Sequence, residues 1–123
     1  MNPAVAVTRG DGPIVLGMPH VGTFVPDAIR ERLNDEGRFL RDTDWHIDRL
    51  YEALIPGLTV VRAKFHRYVI DANRDPSGES LYPGATTTDL VPTTTFDSTP
   101  IWLPGATPAK AEIADRLAQF LAP

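Results

Sequence analysis

The chain has 123 residues, no cysteine, and 12 Lys and Arg against 16 Asp and Glu, a net charge of −4. That length suits one domain with a real core; the missing cysteine removes disulfide scaffolds, thiolate zinc sites and Cys nucleophiles, and the acidic balance opposes a nucleic-acid groove. No apolar run approaches the ~18 residues of a membrane span and no signal-peptide pattern opens the chain, so a cytoplasmic location is expected.

In chain order, Ile14–Met18 is an apolar run suited to a buried strand, stopped by Pro19. Pro26-Asp27 opens a short helix through Leu33 that ends near Gly37. Residues Asp42 to Leu54 place Ile47, Leu50, Tyr51 and Leu54 on one face, the spacing of an amphipathic helix, with Pro56-Gly57 ending it. Leu58–Ala63 and His66–Ile70 are rich in β-branched residues and predict two strands. Thr107-Pro108 forms an N-cap and N1 pair for a last helix carrying Ile113, Leu117, Phe120 and Leu121. Together these elements predict an α/β domain.

Proline and glycine contribute 21 of the 123 residues, about 17% against a usual level of about 12%. They concentrate between Pro76 and Pro108, a stretch with six prolines, eight threonines and no basic residue. Long helices cannot form there. Its apolar residues, from Leu81 to Leu103, predict an ordered loop lying on a core rather than a linker.

Three segments carry chemistry. His20, in Pro19-His20-Val21-Gly22, follows the first strand, where open α/β sheets place their ligands. It is a metal ligand or general base, or simply a histidine held in a turn. Asp42-Thr43-Asp44-Trp45-His46-Ile47-Asp48 offers three carboxylates and a histidine as metal ligands, or a helix cap at Asp42. In Arg67–Pro76, Asn73 and Arg74 bring a carboxamide and a guanidinium together, suited to gripping a substrate carboxylate. The bland alternative is a weak surface bridge from Arg74 to Asp71 or Asp75. His66 reads as structural. Nucleotide-binding and serine-hydrolase motifs are absent.

These segments, with Ser80-Leu81-Tyr82-Pro83-Gly84, Val91–Asp97 and Gly105-x-x-Pro108, occur in an order that resembles the N-formylglutamate amidohydrolase family over essentially the whole chain. The resemblance implies a mixed sheet flanked by helices, related to the zinc exopeptidases. It also implies zinc-dependent hydrolysis of N-formyl-L-glutamate to L-glutamate and formate, in histidine degradation. By resemblance His20 is a zinc ligand, with Asp44 the second and Asp42 in reserve. Asn73 and Arg74 hold the substrate α-carboxylate, and Arg67 polarises the scissile carbonyl.

The chain departs from the family pattern at Val21, Ala85, Asp89 and Ser98, where Ser, Gln, Gly and Gly are common. Family members also continue further, with a later Asp-x-His and a catalytic Glu. Residues 1–123 are therefore expected to be an amino-terminal part of one incomplete domain, inactive alone. A missing carboxy-terminal segment or a second chain would complete the site. The alternatives are a metal-free carboxylate-binding remnant, an enzyme for another N-acyl amino acid, or an interaction module displaying the Pro/Thr loop.

Overall fold

A computed structural model describes residues 4–76 and 89–121 of the chain. Three short strands, β1 (Val5–Thr8), β2 (Val15–Met18) and β3 (Thr59–Ala63), form one mixed sheet in the order β1-β3-β2. β1 runs antiparallel to β3 with Val7 opposite Val61. β2 runs parallel to β3 with Leu16 opposite Val60. A parallel pair needs a long crossover. Here it is residues 19–58, which carry α1 (Asp27–Arg30), α2 (Asp35–Arg38) and α3 (Ile47–Leu54). The last helix, α4 (Lys110–Arg116), runs into a π-helical turn at Leu117–Leu121. The mixed α/β class matches expectation.

Strand β1 was not anticipated, because a four-residue Val-Ala-Val-Thr run has too little alternation to stand out. The helix expected from Asp27 to about Gly37 is two single turns. Asn34 divides them, its side chain accepting from the Gly37 N–H as the N-cap of α2. Gly37 therefore lies inside α2 rather than ending a helix. A Cβ there would strike the Ile101 carbonyl, so the position demands glycine for close approach.

Helix α3 begins at Ile47, with His46 as its N-cap at φ 63, so Asp42 is not the cap. Of the expected apolar face only Ile47 packs inward; Leu50, Tyr51 and Leu54 are exposed. Helix α4 starts later than Thr107-Pro108 implies, because Pro108 is itself buried and the first helical acceptor is the Ala109 carbonyl.

The largest correction concerns His66–Ile70. It is an irregular buried segment, not a strand. The Val69 N–H donates to the His66 carbonyl and the Tyr68 N–H to His66 Nδ1, so local turns satisfy donors that a ladder would otherwise take. An apolar β-branched run signals complete burial as readily as it signals a strand. Tyr68, Val69 and Ile70 are fully buried in the main core, beside Phe65, Leu33, Ile101 and Trp102.

The Pro/Thr loop lies on that core over its described part. Val91, Ile101 and Trp102 are buried, and Trp102 Nε1 donates to the Pro92 carbonyl at 2.8 Å. Leu81, Tyr82 and the rest of Ser80–Gly84, together with Ala85, fall outside the described residues. Among the described residues no helix is long and apolar enough to cross a membrane.

His66 makes stability depend on pH. Burial and the nearby Arg67 charge lower its pKa from 6.5 to about 3. The unfolded chain therefore takes up a proton near pH 6.5 that the folded chain refuses. This contribution is complete above pH 6.5 and shrinks as pH falls toward 3. Urea unfolding between pH 6 and 4.5 should show a loss approaching about 1.4 kcal/mol per pH unit from this residue. His66→Gln should flatten that slope.

Candidate metal and carboxylate site

His20 emerges two residues after β2, at the carboxyl end of the strand. Gly22 then passes so close to the chain at Ala63–Phe65 that a Cβ would overlap the backbone there. The Pro-His-x-Gly spacing thus follows from packing: the glycine lets the turn lie flat on the end of β3, which fixes the histidine above it.

From that turn His20 Nε2 reaches Asp71 Oδ1 at 2.6 Å. The carboxylate is fully buried. Its other oxygen accepts from Arg67 Nη2 at 3.0 Å and lies 3.9 Å from Arg74 Nη1, while the Asn73 N–H donates to Oδ1 at 2.8 Å. Burial by itself would raise the Asp71 pKa. The His20 hydrogen bond, the Asn73 N–H and the adjacent charges outweigh it and hold the group ionised, at about 2. An ionised carboxylate only accepts, so Nε2 of His20 carries the proton and donates. In the neutral imidazole Nδ1 then bears the lone pair, and it faces Asp44 Oδ2 at 4.0 Å.

The Asp42-Thr43-Asp44 segment distributes its three side chains to three different partners. Asp42 Oδ2 accepts from the Tyr68 hydroxyl at 2.8 Å and from the Phe96 N–H at 3.2 Å. Burial and that hydrogen bond raise the Tyr68 pKa above the usual phenol range, keeping it a donor. Thr43 Oγ1 accepts from His66 Nε2 at 2.8 Å and donates to the Leu40 carbonyl. Because His66 Nδ1 is already an acceptor, its tautomer is fixed and every polar atom of the ring is used. Asp44 is exposed, and its N–H is bonded to the His20 carbonyl at 2.9 Å. The backbone bond holds the two candidate ligands side by side, whereas Asp42 is occupied elsewhere.

His20 and Asp44 are therefore brought together. Asn73 is exposed and Arg74 half-buried beside them, with Arg74 Nη1 donating to the Asn73 carbonyl. Arg67 sits differently. Its guanidinium is 4% exposed, donates to Asp71 and to the Asp42 carbonyl, and lies 4.6 Å from the Phe96 ring centre. It underlies the site rather than opening into it. Asp71, considered from sequence only as a weak surface-bridge partner, is the buried hub. The i,i+4 spacing of Arg67 and Asp71 was the signal available for it. Among the described residues no group of three His, Cys, Asp or Glu side chains could hold a metal ion.

Asp71→Asn should cost about 3–5 kcal/mol, because it leaves the Arg67 charge buried without its partner. Chemical denaturation measures this. The double change Arg67→Met with Asp71→Leu should recover part of the loss, since an apolar pair removes both desolvated charges together.

Residues 12–123 match the sequence model of the N-formylglutamate amidohydrolase family. The chain is 40% identical to the N-formylglutamate deformylases of Pseudomonas putida and Pseudomonas aeruginosa, over 100% of its own length and 46% of each relative. Its fold superposes on the crystal structure of N-formylglutamate amidohydrolase from Ralstonia eutropha JMP134 with a TM-score of 0.71 at 30% identity, covering 99% of this chain and 48% of that one. The chain spans about half the length of the relatives it matches. Matched by that family model over residues 12–123, with His20, Asp44 and the Arg67–Arg74 segment assembled around one buried carboxylate, this chain belongs to the N-formylglutamate amidohydrolase family.

Proposed function

We propose that this chain supplies the carboxylate-gripping part and two metal ligands of a zinc-dependent amidohydrolase for N-formyl-L-glutamate, acting in histidine degradation on a zinc exopeptidase-like fold. The observation that carries the reading is the pairing of His20 and Asp44. Asp71 fixes the His20 tautomer through Nε2, as carboxylates do behind metal-bound histidines, and leaves Nδ1 directed at an exposed carboxylate. An imidazole nitrogen and a carboxylate oxygen suit zinc chemically. They fit as part of a site, because catalytic zinc takes three protein ligands and the described residues offer two.

When bound, zinc would polarise the formyl oxygen and lower the pKa of a water beside it. This chain's residues do the rest of what it contributes. Arg74 and Asn73 at the rim bind and orient a glutamate carboxylate through charge-assisted hydrogen bonds. Arg67 was expected to meet the scissile carbonyl. Its closed position supports a role in holding Asp71, and through it His20, at the reacting centre. The third ligand and the carboxylate that moves the proton to the departing amine would come from the part of the family fold this chain does not match.

The absence of a third ligand among the described residues also favours a second reading, a metal-free remnant that binds carboxylates through Arg74 and Asn73. Calorimetry with zinc and with L-glutamate separates the two. The expected result is zinc affinity weaker than about 1 µM in the isolated chain, loss of that binding in His20→Ala, and no formate release from N-formyl-L-glutamate. Glutamate binding that ignores both His20→Ala and a chelator would favour the remnant. Turnover by the isolated chain would defeat the claim that the site is partial.

A further inference from the structure

Three consecutive residues of the buried irregular segment grip the segment that presents Asp44. His66 Nε2 donates to Thr43 Oγ1 at 2.8 Å, Arg67 Nη1 to the Asp42 carbonyl at 3.3 Å, and the Tyr68 hydroxyl to Asp42 Oδ2 at 2.8 Å. Both donors of Thr43, its hydroxyl at 2.6 Å and its N–H at 3.1 Å, meet the Leu40 carbonyl and close a turn. Asp44 follows at once. It is exposed, and its N–H reaches the His20 carbonyl at 2.9 Å.

The backbone on either side is in the left-handed region, with φ 51 at Leu40 and φ 63 at His46. Neither residue is glycine, and such conformations persist only where the surroundings over-determine them. Of residues 41–46 only Thr43 is buried, so it is the anchor that ties this stretch to the core. A valine would fill the same volume; what the hydroxyl adds is direction. His66 Nδ1 accepts from the Tyr68 N–H at 3.0 Å, which makes Nε2 the donor. Thr43 Oγ1 must then accept from it, and its own proton is left to the Leu40 carbonyl. Each proton is assigned by the bond before it.

We propose that Thr43 and His66 are a positioning pair for the metal site: the hydroxyl, fixed between His66 Nε2 and the Leu40 carbonyl, sets the turn from which Asp44 faces His20. Neither residue touches metal or substrate; both act through Asp44. The consequence for zinc rests on the reading of Asp44 as a ligand, whereas the placement of Asp44 belongs to the metal-free chain and is measured there. The Asp42 bonds to Arg67 and Tyr68 fix the residue before Thr43, and the test asks whether they suffice without the hydroxyl.

Amide hydrogen exchange followed by NMR reads that placement through the Asp44 N–H. The Asp71 N–H, bonded to the Leu90 carbonyl at 2.7 Å in the core, is the internal reference for global stability. Thr43→Val leaves the Leu40 carbonyl its bond from the backbone N–H of position 43 and orphans only the His66 Nε2 proton. It should speed Asp44 exchange about tenfold relative to Asp71, and weaken zinc binding in calorimetry by about the same factor, the effect of one lost hydrogen bond. Thr43→Ser keeps a hydroxyl and should restore both. His66→Gln puts an amide donor near the place of Nε2 and should behave as Thr43→Ser does; His66→Asn replaces only the Nδ1 acceptor and should behave as Thr43→Val does. The proposal is overturned if Thr43→Val speeds Asp44 no more than Asp71, or if Thr43→Ser fails to restore Asp44. If the wild-type chain binds no zinc, or its affinity is indifferent to Thr43→Val, the ligand reading of Asp44 fails while the exchange ratio still decides the placement.

Discussion

A single buried carboxylate organises this molecule. Asp71 has no solvent access, and a charge in that environment survives only with partners that replace its water. Those partners are His20 from the end of β2, Arg67 one turn earlier in the chain, and the Asn73 N–H two residues later. Segments 51 residues apart in sequence are thereby fixed against each other. The same bonds that keep the carboxylate ionised decide which nitrogen of His20 carries the proton. Electrostatic satisfaction and chemical orientation are one arrangement here.

Around that hub the Asp42–Asp44 segment acts as a distributor. Successive side chains reach the Tyr68 hydroxyl, the His66 ring and the neighbourhood of His20. Phe96 of the Pro/Thr loop is drawn in through Asp42 and closes over Arg67. A loop outside the ladders leaves backbone donors to be satisfied individually, and a side-chain acceptor such as Asp42 gives the Phe96 N–H its partner. On the far side Arg116 donates to the Val69 carbonyl and is bound by Glu112, which also pairs with Arg32. The irregular segment carrying Arg67 and Asp71 is thus held from two sides without being part of the sheet.

The contrast with the sheet is physical. Polar groups at the site are almost all satisfied, with Arg67 Nε and Arg116 Nε the buried exceptions among the described residues. On the strands, by contrast, the apolar Val5, Val7 and Val15 are exposed. Hydrogen bonding can be completed locally within one segment, because such bonds are short-ranged. Covering a sheet face requires other packed elements.

The sequence by itself determined the α/β class, strands β2 and β3, the general positions of the helices, the core-lying Pro/Thr loop and the three segments that meet at the site. These are legible because they depend on local pattern: apolar runs, caps, and clustered His, Asp, Asn and Arg. Tertiary structure alone decided that His66–Ile70 is buried without being a strand, and that Asp71 is the hub and not a surface partner. It also decided that Arg67 lies beneath the site and that Asp44 rather than Asp42 faces His20. Each of these turns on which distant group satisfies a buried charge or donor. Periodicity reports which residues avoid water, but the partner of a buried polar group is chosen by the closure of the whole chain.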